Sequence, residues 1–306
     1  MSQTELLQQL ASMSTEARNP ASTDLDTLDS LAIVRLINQA DHTVAPALVT
    51  ALPAVAQAVD AIVTAFASGG RLIYLGAGTS GRLGILDAAE CPPTFSVPAN
   101  QVIGLIAGGT TAIQRAVEGA EDSQELAVEE LSAINFGPND VLVGIAASGR
   151  TPYVLGGLAY GRKLGATTVA ISCNSTGSIL QAADIAICAE VGPEVLTGST
   201  RMKAGTAQKM LLNMLSTAAM VRSGKVYQNL MVDLHASNEK LQARAVRIVM
   251  QATDCNSVTA SAALQQADMN AKLAILLILT GDDLASCQQA LAKSQGFVGK
   301  ALEAKA

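Results

Sequence analysis

The stretch Arg71-Leu72-Ile73-Tyr74-Leu75-Gly76-Ala77-Gly78-Thr79-Ser80-Gly81 decides the fold. An apolar run enters a glycine-rich turn that carries two hydroxyls, and a helical pattern follows over Ser80–Ala89. That order aims backbone N–H groups and the positive end of a helix at one point, which suits an anion. The same rhythm continues. Strands are expected at Arg71–Leu75, Val102–Ile106, Val141–Ala146, Thr167–Ser172 and Asp184–Cys188. Helical patterns over Thr111–Ile134, Pro152–Leu164 and Thr176–Ala182 lie between them. The strands are apolar without clean alternation, as strands buried on both faces are. The expected fold class is therefore α/β, a five-stranded parallel sheet flanked by helices. Ligands bind such sheets beyond the strands' carboxyl ends, so the loops after Leu75, Ile106, Ile145 and Cys188 should converge.

Upstream, residues 1–46 read as an N-terminal helical arm. Leu48, Leu52, Val55, Val59, Ile62 and Phe66 then recur near the helical period over Ala47–Ser68. Downstream of Ala204 the chain turns helical again. Gln208–Val221 is strongly apolar and Asn229–Val249 reads as one long helix. Ser257–Gln266, Asn270–Leu279 and Asp283–Ala292 read as a small C-terminal three-helix module. The expected domains are the arm at 1–46, the sheet domain at 47–250 and the C-terminal helices at 251–306.

Composition excludes several classes. The chain has 306 residues, 49% hydrophobic and 15% charged, which marks a globular protein. A net charge of −6 without a basic stripe disfavours nucleic acid, and 3% aromatic residues with no Trp leave no platform for stacking bases. Met1–Glu5 carries no basic cluster leading into an apolar core, and no apolar run has the length of a membrane span. No membrane and a cytoplasmic location are expected. Five scattered cysteines and two histidines form no ligand-like cluster, so no metal, disulfide or cofactor is expected.

Two loops carry the candidate chemistry. In the first, Gly78 permits close approach while Thr79 and Ser80 offer hydroxyls. A dinucleotide site would also want an acidic residue ending the second strand, and Ala99–Leu105 has none, so a terminal phosphate fits better. The second is Ala147-Ser148-Gly149-Arg150-Thr151-Pro152. Ser148 and Thr151 can donate, Gly149 lets a ligand close in, Arg150 adds charge and Pro152 suits the first helical position.

These loops resemble the sugar isomerase (SIS) domain, whose second loop reads roughly SxSGxT; Ala146 stands here in place of the first Ser. Longer strings resemble the N-acetylmuramic acid 6-phosphate etherase family: Leu75–Thr94, Val117–Asp122, Gly144–Tyr153, Thr197–Lys209 and, near the start, Thr15–Pro20. The resemblance covers nearly the whole chain. It implies an SIS-type, flavodoxin-like sheet, a homodimer, a C-terminal module similar to ubiquitin-associated domains, and no metal. It also implies cleavage of the lactyl ether of N-acetylmuramate 6-phosphate to N-acetylglucosamine 6-phosphate and D-lactate, in peptidoglycan recycling.

Such an elimination needs one carboxyl that starts neutral and one that starts ionised. The family's catalytic pair falls on Glu90 and Glu121. Glu90 is expected to end the helix that the first loop opens, stopped by Pro92-Pro93, among Leu86, Ala89 and Cys91. A helix C-terminus and apolar neighbours both disfavour a charged carboxylate, so Glu90 is read as the acid. Asp122 with Glu125 resembles a capping box. Glu121 would then precede a helix N-terminus, where negative charge is favoured, and is read as the base; Glu118 is its rival. Thr200 and Arg201 are read as substrate contacts, with Ser199 and Lys203 in the same polar loop. Lys240 is read as reaching a partner's site in a dimer, and His235 as structural. Two other functions fit the loops, an SIS aldose–ketose isomerase and a non-catalytic sugar-phosphate sensor.

Overall fold

Leu72–Gly76 forms β1, and all its residues are buried. The structure is a computed structural model that describes residues 13–233 and 239–304. Beside β1 lie β2 (Val102–Ile106), β3 (Val141–Ile145), β4 (Thr167–Ser172) and β5 (Ile185–Cys188). All pair in parallel, in the order β2-β1-β3-β4-β5. The chain steps from β1 outward to β2, then crosses back to β3 and runs the other way. The loops leaving β1 and β3 therefore flank the point where the order reverses, which is where such sheets open a crevice.

Alternation along β1 shows why both faces need helices. Ile73 and Leu75 join Leu142, Ala170, Leu131, Tyr153, Val154 and Leu158 in one buried cluster, which includes side chains of α5 (Gln124–Ala133) and α6 (Pro152–Leu164). Tyr74, between them, faces the other side and donates its hydroxyl to Asp87 on α3 (Gly78–Phe95). Each fully buried Leu or Ile stabilises by about 2 kcal/mol over its exposed state. At the amino end of the sheet, Asp140 accepts from the Arg71 backbone N (2.9 Å) and from its guanidinium (2.7 Å), clamping β3 to β1.

Before the sheet, three 3-10 turns lead to α1 (Ser30–Asp41), and α2 (Leu52–Ala67) follows. Counted as one helical run, Ser30–Ala67 has the length and apolar composition of a membrane span. It is not one straight helix. The chain turns at His42–Thr43, and a 3-10 turn covers Val49–Ala51. The stripe Val55, Ala58, Val59, Ile62 and Ala65 of α2 is buried, and α2 contacts β1, β3 and β5.

The strands match expectation to within two residues. Thr111–Ile134 divides, as the expected helix start near Asp122 implies, into α4 (Gly109–Gln114), a 3-10 turn at Ala120–Asp122 and α5, with Gly119 at a left-handed φ of +75°. Other helices differ from expectation. The helix expected to stop at Pro92-Pro93 continues to Phe95. Proline removes a donor but keeps its carbonyl: Ser96 N donates to Pro92 O at 2.9 Å, and buried Cys91 and Phe95 hold that last turn.

The described residues fall into two compact units. One takes in the chain to Ala89 with Asn100–Ser216; the other takes in Glu90–Ala99 and the chain from Thr217. α7 (Ser178–Ala182) precedes β5, and α8 (Lys203–Arg222) follows it. In the second unit, Asn229–Asp233 is not helical: Tyr227 and Leu230 pair across a turn. The helix begins only at Glu239, as α9 (Glu239–Thr253), and His235 lies outside the described residues. Then follow α10 (Ser257–Gln266), α11 (Ala271–Thr280) and α12 (Leu284–Lys293), capped by Asn256, Asn270 and Asp283. A further helix, α13 (Val298–Glu303), extends the expected three-helix module and buries Val298 and Ala301.

Candidate active site

Gly78 opens α3 with a φ of +53°. Behind it, Ala107 N donates to Gly76 O at 3.0 Å, tying the first loop to the end of β2. Together these segments wall a cavity of about 240 Å³ lined by Gly78, Arg82, Ala107, Glu118, Gly119 and Glu121 among others. Arg82 Nε donates to Ile113 O at 2.9 Å, so this cation is held against α4 at the cavity wall. Two carboxylates, one cation and a helix N-terminus thus share one hollow. Glu121 is exposed, on the 3-10 turn before α5. The cap differs from the expected one. Ser123, not Asp122, is the N-cap of α5, and its Oγ accepts from Leu126 N at 3.1 Å; a hydroxyl one residue later sets the helix start.

The second loop is held from below. Asn174, after β4, is 2% exposed. Its Nδ2 donates to Ala147 O (3.2 Å), to Ser148 O (3.3 Å) and to Thr15 Oγ1 (2.9 Å). Its Oδ1 accepts from Ser14 Oγ (2.8 Å) and Thr15 N (3.2 Å). One amide therefore ties the N-terminal arm to the second loop. Gly149 O accepts from Ile179 N at 3.0 Å. Ser148 Oγ accepts from Arg150 N at 3.4 Å. Thr151 is the N-cap of α6 but makes no capping hydrogen bond, which leaves its hydroxyl and the first amides of α6 available. Ser148, Arg150 and Thr151 are half-buried.

A third segment meets the first loop. A Cβ built on Gly205 would lie 3.5 Å from Thr79 Cγ2 and 3.6 Å from Thr200 O, so these two threonines converge on the start of α8. Fully buried Glu194 fixes that start: its carboxylate accepts from Lys203 N and Ala204 N, both at 2.9 Å. Lys203 turns inward and donates its Nζ to Val191 O at 2.6 Å, so it serves the loop's architecture. Thr200 stays half-buried and Arg201 exposed.

Glu90 and Lys240 belong to the second unit. Glu90 lies about three turns along α3 from Gly78 and is exposed, with Leu86 51% exposed beside it. The helix continues to Phe95, so Glu90 does not sit at the helix C-terminus that the sequence suggested. Lys240 is exposed in the first turn of α9.

Asn174, in the loop after β4, carries only one signal in the sequence, a polar residue shortly after an apolar strand, and was not among the expected site residues. Neither were Arg82, Gln208 and Asp87. Ser80 is buried and its Oγ donates to Gln208 Oε1 at 3.0 Å. Asp87 accepts from Tyr74, Asn213 and Ser216; burial raises its pKa, and those donors together with Lys209 hold part of the rise back. Burial also pushes the Cys173 thiol up to about 12, so this cysteine near the loops is no nucleophile. Among the described residues no group of three or more His, Cys, Asp and Glu gathers as a metal site would require.

Comparison with known proteins assigns the family. An N-acetylmuramic acid 6-phosphate etherase of Pseudoalteromonas atlantica is 60% identical over 99% of this chain and 98% of its own. That of Colwellia psychrerythraea is 58% identical over 98% of both. The chain belongs to the N-acetylmuramic acid 6-phosphate etherase family. Within this etherase chain, residues 54–162 match the glucokinase regulatory protein N-terminal SIS domain and 116–218 the SIS domain. Residues 228–274 match the C-terminal lid domain of glucokinase regulatory protein. A solved structure described as a candidate phosphosugar isomerase involved in capsule formation, from Bacteroides fragilis, aligns with a TM-score of 0.50 at 22% identity. It covers 65% of the etherase chain and 93% of its own, and shows the shared fold.

Proposed function

We propose that the protein is a lyase that cleaves the lactyl ether of N-acetylmuramate 6-phosphate. The observation that carries this reading is the shared cavity, in which Glu121 and the first phosphate loop line one hollow. Etherase relatives matched over nearly full length support the choice of reaction. In the open-chain sugar the C1 aldehyde acidifies the C2 proton. Glu121, just ahead of α5, takes that proton, and Glu90 gives one to the departing C3 ether oxygen. D-lactate leaves and a C2–C3 double bond forms. Water then adds at C3, activated by the Glu90 carboxylate, and C2 regains a proton from Glu121, yielding N-acetylglucosamine 6-phosphate. Ser148, Gly149, Arg150 and Thr151 with Ser80 hold the 6-phosphate. Gly78, Thr79, Thr200 and Arg201 face the sugar, and Lys240 reaches the site of a second subunit.

The proposal includes a homodimer and a cytoplasmic location. Leu31 and Val34 on α1 are 54% and 56% exposed, an apolar surface that suits a second copy. The thiols of Cys173, Cys188, Cys255 and Cys287, held in no disulfide, suit a reducing compartment. The matches to glucokinase regulatory protein favour a second reading, a sugar-phosphate sensor without catalysis. Incubation with N-acetylmuramate 6-phosphate decides: D-lactate is expected, and tight binding without lactate selects the sensor. For the division of roles, Glu90→Ala should fail on the lactyl ether yet still eliminate a C3 halide, which departs without a proton. Equal loss on both substrates removes that assignment.

A further inference from the structure

We propose that Gln208 is a positioning residue that sets the direction of the Ser80 hydroxyl, and through it the first loop's hold on phosphate. The inference rests on the sugar-phosphate reading above. Gln208, on α8, is 1% exposed, and Ser80, in the first turn of α3, is 7% exposed. Ser80 Oγ donates to Gln208 Oε1 at 3.0 Å. Gln208 Nε2 is also buried and has no hydrogen-bond partner among the described residues.

A serine hydroxyl has one proton to give, while a primary amide has two donors and one acceptor oxygen. In the arrangement seen, the hydroxyl proton is spent on Gln208 and the amide's own donors go unused. A buried donor without a partner is costly. Rotating the amide by half a turn exchanges two nearly isosteric ends. Nε2 then donates to Ser80 Oγ, and the hydroxyl proton is free. A fully ionised phosphate oxygen can only accept, and the N-terminal turn of α3 favours an anion there. One rotation therefore employs the amide donor and supplies the donor that phosphate needs. Without ligand the pair holds its proton inward; with ligand it turns that proton outward.

Gln208→Glu tests this, because a carboxylate accepts from Ser80 and cannot donate to it. The Michaelis constant for N-acetylmuramate 6-phosphate should rise about tenfold, the loss of one charge-assisted hydrogen bond, with kcat within about threefold. The dissociation constant of inorganic phosphate should rise alongside. Ser80→Ala should raise both comparably, and adding Gln208→Glu to Ser80→Ala should change neither further. If Gln208→Glu fails to fold, Gln208→Met keeps the volume, removes the amide and is judged by the same double-mutant comparison. An equal effect with and without the Ser80 hydroxyl overturns the inference, as does a lowered unfolding midpoint with unchanged constants. If the wild type releases no D-lactate, the etherase reading fails, while the phosphate constants still decide the role of Gln208.

Discussion

At Gly78, in the first loop, an added Cβ would meet nothing within 4 Å. At Gly149, in the second, it would lie 2.5 Å from Ser172 Oγ and 2.6 Å from Gly177 Cα. Both glycines have positive φ, +53° and +74°. The two loops share their chemistry and their place at the ends of β1 and β3, but they are supported differently. The second is packed from beneath, where Gly149 meets buried Ser172 and Gly177, and two of its carbonyls accept from Asn174. The first borders an open cavity, and one of its hydroxyls is tied to an amide that still has donors unused. A loop supported from beneath holds its amides fixed, whereas one beside a cavity keeps hydrogen-bonding capacity unused.

The largest effect should come from giving each loop the same methyl group. Gly149→Ala adds a left-handed backbone penalty to a clash with backbone, about 4 kcal/mol in all. Gly78→Ala carries the backbone penalty alone, about 1 kcal/mol. Urea unfolding of both variants measures the gap, and equal losses would break the comparison. Asn174→Ala should come next, at about 3 kcal/mol, because it strips partners from Thr15 N and from two second-loop carbonyls. It should also make the arm preceding Arg18 newly sensitive to protease; an arm still protected would show that other contacts hold it.

The smallest effect is in pH. The helix of the first loop is anchored by an ionisable group, Asp87, while the second loop relies on a neutral amide. Burial raises the pKa of Asp87 above its ordinary 3.8. As pH rises past that ordinary value the unfolded chain releases the proton first, so the folded state loses stability until its own raised pKa is passed. The stability difference between wild type and Asp87→Asn should therefore fall with pH across that window. A flat difference would mean that the Tyr74, Asn213 and Ser216 hydrogen bonds cancel the cost of burying the charge.

Much of the fold was legible because its signals are local. Short apolar runs alternating with helical patterns mark β1 to β5, and the expected C-terminal helices fall within a residue or so of α10, α11 and α12, with Asn270 and Asp283 as caps. The errors arose where a local signal had a non-local competitor. Pro92-Pro93 reads as a stop, but burial of Cys91 and Phe95 carries α3 past it. The run to Ile134 breaks near Gly119, as its glycine and capping pattern indicate, but Ser123 rather than Asp122 caps the helix that follows. In the site, the glycines and hydroxyls of both loops stood out because anion binding requires them. Asn174 and Gln208 did not, since an amide in an apolar stretch acquires meaning only from what it touches.

The sequence by itself determined the parallel sheet, the glycine- and hydroxyl-rich loops that follow β1 and β3 and, through long shared strings, the family. Periodicity, turn chemistry and residue identity are written along the chain and need no partner to be read. Only the tertiary structure decided how those loops are supported: Glu121 beside Gly78 across one cavity, Asn174 between the arm and the second loop, Gln208 against Ser80. These pairs are separated by up to 160 residues along the chain. A hydrogen bond depends on position and direction in space, and sequence spacing specifies those only within a turn or a helix.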